Sequence, residues 1–66
     1  MKKYGTLVIT GERRDWWVEV TVGGKWIHDV HYTSLRNAVT AARMMAYSAK
    51  DTYWTIERHI AINNDV

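Results

Sequence analysis

The sequence predicts a small α+β domain, in which one amphipathic helix packs on one face of an antiparallel sheet of three or four strands. Three observations indicate this class. Two alternating segments flank Gly23-Gly24, an apolar stripe with helical spacing follows at 35–49, and an aromatic, β-branched segment comes last. The expected order is β-β-β-α-β. The chain has 66 residues and no repeat or linker, so residues 1–66 should form a single domain that ends in a flexible polar tail at 63–66.

The composition argues against several classes of protein. The chain contains no cysteine, which excludes a disulfide framework and fits a reducing compartment. Its apolar runs are far shorter than the ~20 residues of a membrane span, and the run behind Met1 is too short for a signal peptide. We therefore expect a cytoplasmic protein that has no contact with a membrane. The net charge of +2 permits either a nucleic acid or an acidic protein as the partner.

Strands are expected near both ends of the chain. In the first, at residues 4–10, Leu7 and Ile9 share one face, and the Gly-Glu-Arg-Arg segment at 11–14 should form the connecting loop. The last strand is expected at residues 52–62. One of its faces should carry Trp54, Ile56, Ile60 and Ile62, interrupted by Arg58.

The central hairpin joins two strands that alternate between apolar and polar residues. A two-residue loop would set apolar side chains opposite charged ones, whereas a three-residue loop at 22–24 pairs Val20 with Trp26. This register predicts that Gly24 adopts the left-handed conformation of a bulged loop. It assigns the following side chains to the core: Trp16, Val18, Val20, Trp26, Val30 and His28, the last as a hydrogen-bonded histidine.

The helix should begin after Thr33-Ser34, because either hydroxyl can accept a hydrogen bond from the first turn. Its apolar stripe comprises Leu35, Ala38, Val39, Ala42, Met45, Ala46 and Ala49. The opposite side is a second candidate surface, suited to phosphates or to an acidic protein groove. This helix surface comprises Arg36, Arg43, Tyr47 and Lys50.

The candidate catalytic and metal-ligating residues do not form a recognisable site. His28 and His31 are three positions apart on one strand, so their imidazoles point to opposite faces and cannot share a metal ion. His31 is expected to pair with Asp15 across the hairpin. No serine lies in a nucleophile elbow, and the paired glycines lead into a strand rather than a helix, unlike a phosphate-binding loop. We therefore expect a non-enzymatic protein with no cofactor and no metal.

One helix can cover only one face of the sheet, which leaves the other face for solvent or a partner. The residues expected on this open face are Trp17, Ile27, His31, Tyr53 and His59, with Arg13, Arg14 and Lys25 at its edge. Two interpretations remain open. Trp, Tyr and Arg are typical anchors of protein interfaces, and aromatic groups beside basic ones also stack on unpaired bases. Alternatively, the first strand or a second copy of the chain covers this face, as in a homodimer.

Residues 16–58 carry a pattern that bears on this choice. It consists of Trp16-Trp17-Val18-Glu19-Val20, then Tyr32-Thr33-Ser34-Leu35, then Ala38 and Ala42, and finally Trp54-Thr55-Ile56-Glu57-Arg58. In these residues, about two-thirds of the chain, the protein resembles the small RNA polymerase inhibitors of short-tailed coliphages.

The resemblance implies a non-enzymatic protein that docks on the bacterial polymerase and blocks productive initiation. That family makes contact through basic residues of its last strand, one of which corresponds to Arg58 while the next corresponds to Ile60. Its helix is acidic, whereas this one is basic. We therefore expect a phage-type protein that inhibits a host machine in the bacterial cytoplasm, either RNA polymerase or a defence complex. The alternative is a nucleic-acid-binding module that uses an aromatic and basic sheet face.

Overall fold

The computed structural model describes residues 2–60. They form β1 (Lys3–Glu12), β2 (Asp15–Val22), β3 (Lys25–Tyr32), α1 (Leu35–Ser48) and β4 (Thr52–Ile60). The α+β class and the β-β-β-α-β order are thus confirmed. The predicted strand residues 61–62 and the predicted flexible tail at 63–66 lie outside the described residues.

The strands form one sheet in the spatial order β3-β2-β1-β4. Neighbouring strands are antiparallel in the β1–β2 and β2–β3 pairs, but β4 runs parallel to β1. The sheet is therefore mixed rather than purely antiparallel. The reason is the helical crossover, which carries the chain back along the sheet so that β4 starts at the same end as β3.

The core lies between α1 and the two central strands. The buried side chains are Leu7, Ile9, Trp16, Val18, Val20, Ala38 and Ala42. The core prediction for β2 is confirmed, because Trp16, Val18 and Val20 were expected to point inward, and Leu7 and Ile9 share one face of β1 as expected. The two alanines of α1 are fully buried, and their small size lets the helix lie close to the sheet.

Both ends of the helix are fixed by specific hydrogen bonds. Ser34, one of the two hydroxyl residues expected there, is the N-cap, and its Oγ accepts from the amide of Asn37 at 3.1 Å. At the other end the amide of Ala49 donates to the carbonyl of Met45 at 3.2 Å. The carbonyl of Ala49 in turn accepts from Nε1 of Trp54 at 3.2 Å, which ties the end of the helix to β4.

The β1–β2 connection is tighter than the predicted four-residue loop. Glu12 pairs with Asp15, so Arg13 and Arg14 alone form the turn, and Arg13 has a positive φ of 55°. The indole Nε1 of Trp16 donates to the carbonyl of Arg13 at 2.6 Å. This bond connects the turn directly to the core.

The predicted register of the β2–β3 hairpin is wrong. Val22 pairs with Lys25, so Gly23 and Gly24 alone form the loop, with φ of 61° and 79°. Two consecutive positive φ values are the geometry of a type I′ turn, which matches the twist of the flanking strands. A β-bulge between Val20 and Thr21 then shifts the register by one residue.

The bulge restores apolar pairing without a longer loop. Beyond it Val18 pairs with Val30, and Trp16 pairs with Tyr32. Two predicted core residues are corrected as a consequence. Trp26 pairs with Thr21, away from the helix, and is 60% exposed. His28 pairs with Val20 on the helix side, but it lies on the edge strand and is exposed rather than buried.

Candidate partner-binding face

The sheet face opposite α1, here called the open face, carries five large apolar side chains with substantial exposure. They are Tyr4, Trp17, Trp26, Ile27 and Tyr53, which are between 37% and 72% exposed. Ile27 is the extra residue at the bulge, so it and its neighbour Trp26 both turn toward this face. In the described part of the chain no element packs over these side chains.

One row across the open face brings together three predicted site residues. His31 pairs with Trp17, Trp17 with Thr10, and Thr10 with His59, so these four residues cross all four strands. The ring centroids of Trp17 and His31 are 4.8 Å apart. This row lies near the β1–β2 turn.

The predicted contact between His31 and Asp15 is confirmed, although the two residues are diagonal rather than directly opposite. His31 Nε2 lies 2.6 Å from Asp15 Oδ1, while Trp17 is the residue paired with His31. This contact holds the imidazole of His31 close to the indole of Trp17. Both partners keep solvent contact, with side chains that are 40% and 73% exposed.

The next row carries acidic side chains. Asp29 pairs with Glu19, Glu19 with Val8, and Val8 with Glu57. We call Asp29, Glu19 and Glu57 the carboxylate row. Within residues 2–60 the close contacts between basic and acidic side chains join His31 to Asp15 and His59 to Glu57, and neither involves a lysine or an arginine. The middle of the open face is therefore negatively charged, which the sequence did not indicate.

The far end of the open face, near the Gly23-Gly24 turn, is aromatic. Tyr4 and Tyr53 are paired across β1 and β4, with ring centroids 5.5 Å apart. The ammonium of Lys2 lies 4.8 Å from the centroid of the Tyr53 ring. Trp26 lies on the other side of this end. Such rings offer flat apolar contacts and bind cations through their faces.

The remaining predicted contact residues are not all on this face. Arg13 and Arg14 form the β1–β2 turn beside Asp15 and His31, where they border a shallow depression at the end of the open face. Arg58, which the resemblance nominates, pairs with Ile9 and so points to the helix side of the sheet. The structure therefore separates Arg58 from Trp17 and His31.

The helix surface lies on the opposite side of the molecule. Arg36, Arg43 and Tyr47 are on the solvent side of α1, and Lys50 follows the helix. Tyr47 is 77% exposed, and the Lys50 ammonium lies 5.5 Å from its ring centroid. The helix surface is thus basic, whereas the middle of the open face carries the carboxylate row.

Two residues of the open face, Trp26 and Tyr4, were not among the predicted contact residues. Trp26 reaches it only through the bulge, which leaves no periodic signal in the sequence. Tyr4 does follow from alternation, because it shares a face with Thr6 and Val8, but its contact with Tyr53 depends on the parallel β1–β4 pairing. The charge of the carboxylate row likewise emerges only when the strand order is known.

The described residues also limit other kinds of site. No group of three His, Cys, Asp or Glu side chains in residues 2–60 is placed to hold a metal ion. Over the same residues, no helix combines the length and the apolar character needed to cross a membrane. Comparisons of the chain with protein-family models, curated proteins and solved structures returned no match.

Proposed function

We propose that this protein is a non-enzymatic module that binds another protein through the open face. The observation that carries the proposal is the exposure of Tyr4, Trp17, Trp26, Ile27 and Tyr53 on one side of a domain with a small core. Burying these side chains in the core would stabilise so small a fold, so their exposure favours a role in contact. Tryptophan and tyrosine are also the residue types that contribute most to protein interfaces.

The charge of the open face indicates the chemistry of the partner. The carboxylate row lies between the aromatic end and Trp17, so a partner must bring positive charge to the middle of this face. A lysine or arginine there would pair with Glu19 or Asp29 and also reach a nearby ring. We therefore propose a partner with a basic, partly apolar surface.

The same charge disfavours nucleic acid as the ligand of this face. Stacking platforms for unpaired bases combine aromatic rings with a positively charged groove, since phosphates must be accommodated nearby. Here the side chains beside the aromatic rings are instead the negatively charged carboxylate row. If the protein binds nucleic acid, the helix surface with Arg36, Arg43 and Lys50 is the better candidate.

Inhibition of a bacterial machine is the action that we propose for this binding, and the resemblance to the coliphage polymerase inhibitors supports it. A small protein without catalytic groups acts by occupying a surface that its target needs. RNA polymerase in the bacterial cytoplasm is the first target to test, and a defence complex is the second. Docking through the open face and docking through Arg58, which the resemblance implies, can be distinguished. Glu19→Lys should affect only the first and Arg58→Glu only the second, because these residues point to opposite sides of the sheet.

The experiment is capture of purified RNA polymerase, and of proteins from a nuclease-treated bacterial lysate, by the immobilised chain. Trp26→Ser and Tyr47→Ser form a matched pair, since both remove an exposed aromatic ring but from opposite sides of the molecule. We expect Trp26→Ser to lose the captured protein and Tyr47→Ser to retain it. Equal capture by both variants, or loss of every ligand after nuclease treatment, would contradict binding through the open face.

A further inference from the structure

The two edges of the sheet differ in regularity. The β3 edge is interrupted by the bulge at Ile27, a feature that commonly prevents edge-to-edge pairing. By contrast, β4 pairs with β1 through all nine of its residues without a register shift. Within residues 2–60 no strand pairs with the outer side of β4. Its outer edge is therefore a long, regular row of backbone donors and acceptors.

This edge also carries an apolar side chain that residues 2–60 leave exposed. Ile56 lies on the helix side of the sheet, opposite the fully buried Leu7 on β1, yet it is 41% exposed. The helix therefore does not bury this position. Trp54, two residues earlier on the same side, is only partly buried.

We propose that the outer edge of β4 pairs antiparallel with the β4 strand of a second copy of the chain, with the two-fold axis at Ile56. Two identical antiparallel strands related by a two-fold axis must be centred on one residue, which then faces its own copy. A centre at Ile56 is the middle of Thr52–Ile60, so both strands pair along their whole length.

The resulting pairs are complementary on both faces. On the helix side, Ile56 meets Ile56 and Trp54 meets Arg58 of the second copy, a contact suited to cation–π attraction. On the open face, Tyr53 meets His59 and Thr55 meets Glu57. A centre at Glu57 or at Arg58 would instead set two like charges directly opposite each other, which is destabilising.

This pairing has a consequence for the open face. The axis is perpendicular to the sheet, so two four-stranded sheets join into one, with both helices on the same side. Both open faces then lie on the other side and form a continuous surface. The pairing involves only copies of this chain and requires no other protein.

Sedimentation equilibrium of the full chain tests the proposal, with Ile56→Lys and Ile27→Lys as a matched pair. Both replace an exposed isoleucine on an edge strand with a charge, but only Ile56 lies on the proposed axis. We expect the wild type and Ile27→Lys to sediment at twice the mass of one chain and Ile56→Lys at the mass of one chain. A wild type that stays monomeric at every concentration, or equal masses for the two variants, would overturn the proposal.

A second measurement tests the proposed axis even if the Ile56→Lys variant does not fold. The chain has no cysteine, so a single introduced cysteine reports on its own proximity to a second copy. Directly opposite residues of an antiparallel pair are close enough for a disulfide. We expect oxidation to link Ile56→Cys into a covalent dimer and to leave Ile27→Cys as a single chain. The absence of a link at Ile56, or equal linking of both variants, would overturn the proposed axis.

Discussion

The indole of Trp54 lies directly against the backbone of Gly5, where β4 pairs with β1. A Cβ added at Gly5 would lie 2.5 Å from Cζ3 and 2.7 Å from Cε3 of the indole, distances that real Cβ atoms do not adopt. The ring cannot easily move aside, because its Nε1 is hydrogen-bonded to the carbonyl of Ala49. Gly5 is therefore required by close packing and not by its backbone conformation.

Replacing Gly5 with alanine should destabilise the protein by about 1–3 kcal/mol, the usual effect of forcing extra volume into a packed site. Urea unfolding followed by circular dichroism measures this loss. The control is the same substitution in a Trp54→Leu background, where the smaller side chain leaves room for the new methyl group. If Gly5→Ala is equally destabilising in both backgrounds, its contact with Trp54 is not the cause.

The type I′ turn makes a second prediction, which also distinguishes it from a three-residue loop. Both Gly23 and Gly24 have positive φ, and a Cβ at either would meet no atom within 4 Å. Gly23→Ala and Gly24→Ala should thus each lower the free energy of unfolding by about 1–2 kcal/mol through backbone strain alone. Gly23→Asn should be nearly neutral, because asparagine tolerates this conformation. A neutral Gly23→Ala in thermal unfolding would contradict the two-residue turn.

The elements and the inward faces could be predicted because periodicity is a local property of the sequence. The alternation of Trp16, Val18 and Val20 and the helical spacing of Ala38 and Ala42 correctly placed the core. The bulge could not be predicted, since one extra residue leaves the pattern on either side unchanged.

The candidate site was predicted only in part, because alternation is local to each strand whereas the pairing between strands is not. Strand alternation correctly placed Trp17, His31 and Tyr53 away from the helix. The parallel pairing of β1 with β4, and hence the row that joins His59 to Trp17, follows from tertiary packing of a crossover that local sequence does not encode. The resemblance implied that Arg58 contacts the partner, but the register places this residue on the other side of the sheet.

Adjacent tryptophans with opposite orientations provide a third prediction. Trp16 is buried and its indole bonds to the carbonyl of Arg13, whereas Trp17 is 37% exposed and rests on His31. Trp16→Ala should lower the free energy of unfolding by about 3–5 kcal/mol, enough to unfold most of a domain this small. Trp17→Ala should retain the folded circular dichroism spectrum and lose partner binding. Equal destabilisation by the two substitutions would show that Trp17 is structural, and it would then be removed from the candidate site.

Glu19 and Asp29 carry like charges and lie directly opposite each other on the open face. Such a pair weakens the sheet, so Asp29→Asn should raise the free energy of unfolding by about 0.2–1 kcal/mol. High salt should reduce this gain, because it screens the repulsion that the substitution removes. The same substitution should weaken capture of a basic partner, since it removes one carboxylate from the middle of the binding face.

The combination of greater stability and weaker binding distinguishes a functional residue from a structural one. Replacing a residue that is retained for binding at the expense of stability raises the free energy of unfolding and weakens binding. Replacing a merely structural carboxylate lowers the free energy of unfolding or changes neither quantity. Asp51→Asn is the control, because this exposed carboxylate lies in the turn before β4, outside the carboxylate row. It should leave partner capture unchanged. If Asp29→Asn destabilises the chain, Glu19 and Asp29 do not repel each other as argued. If the Asp29→Asn variant captures the partner as well as the Asp51→Asn variant does, the carboxylate row does not contact the partner.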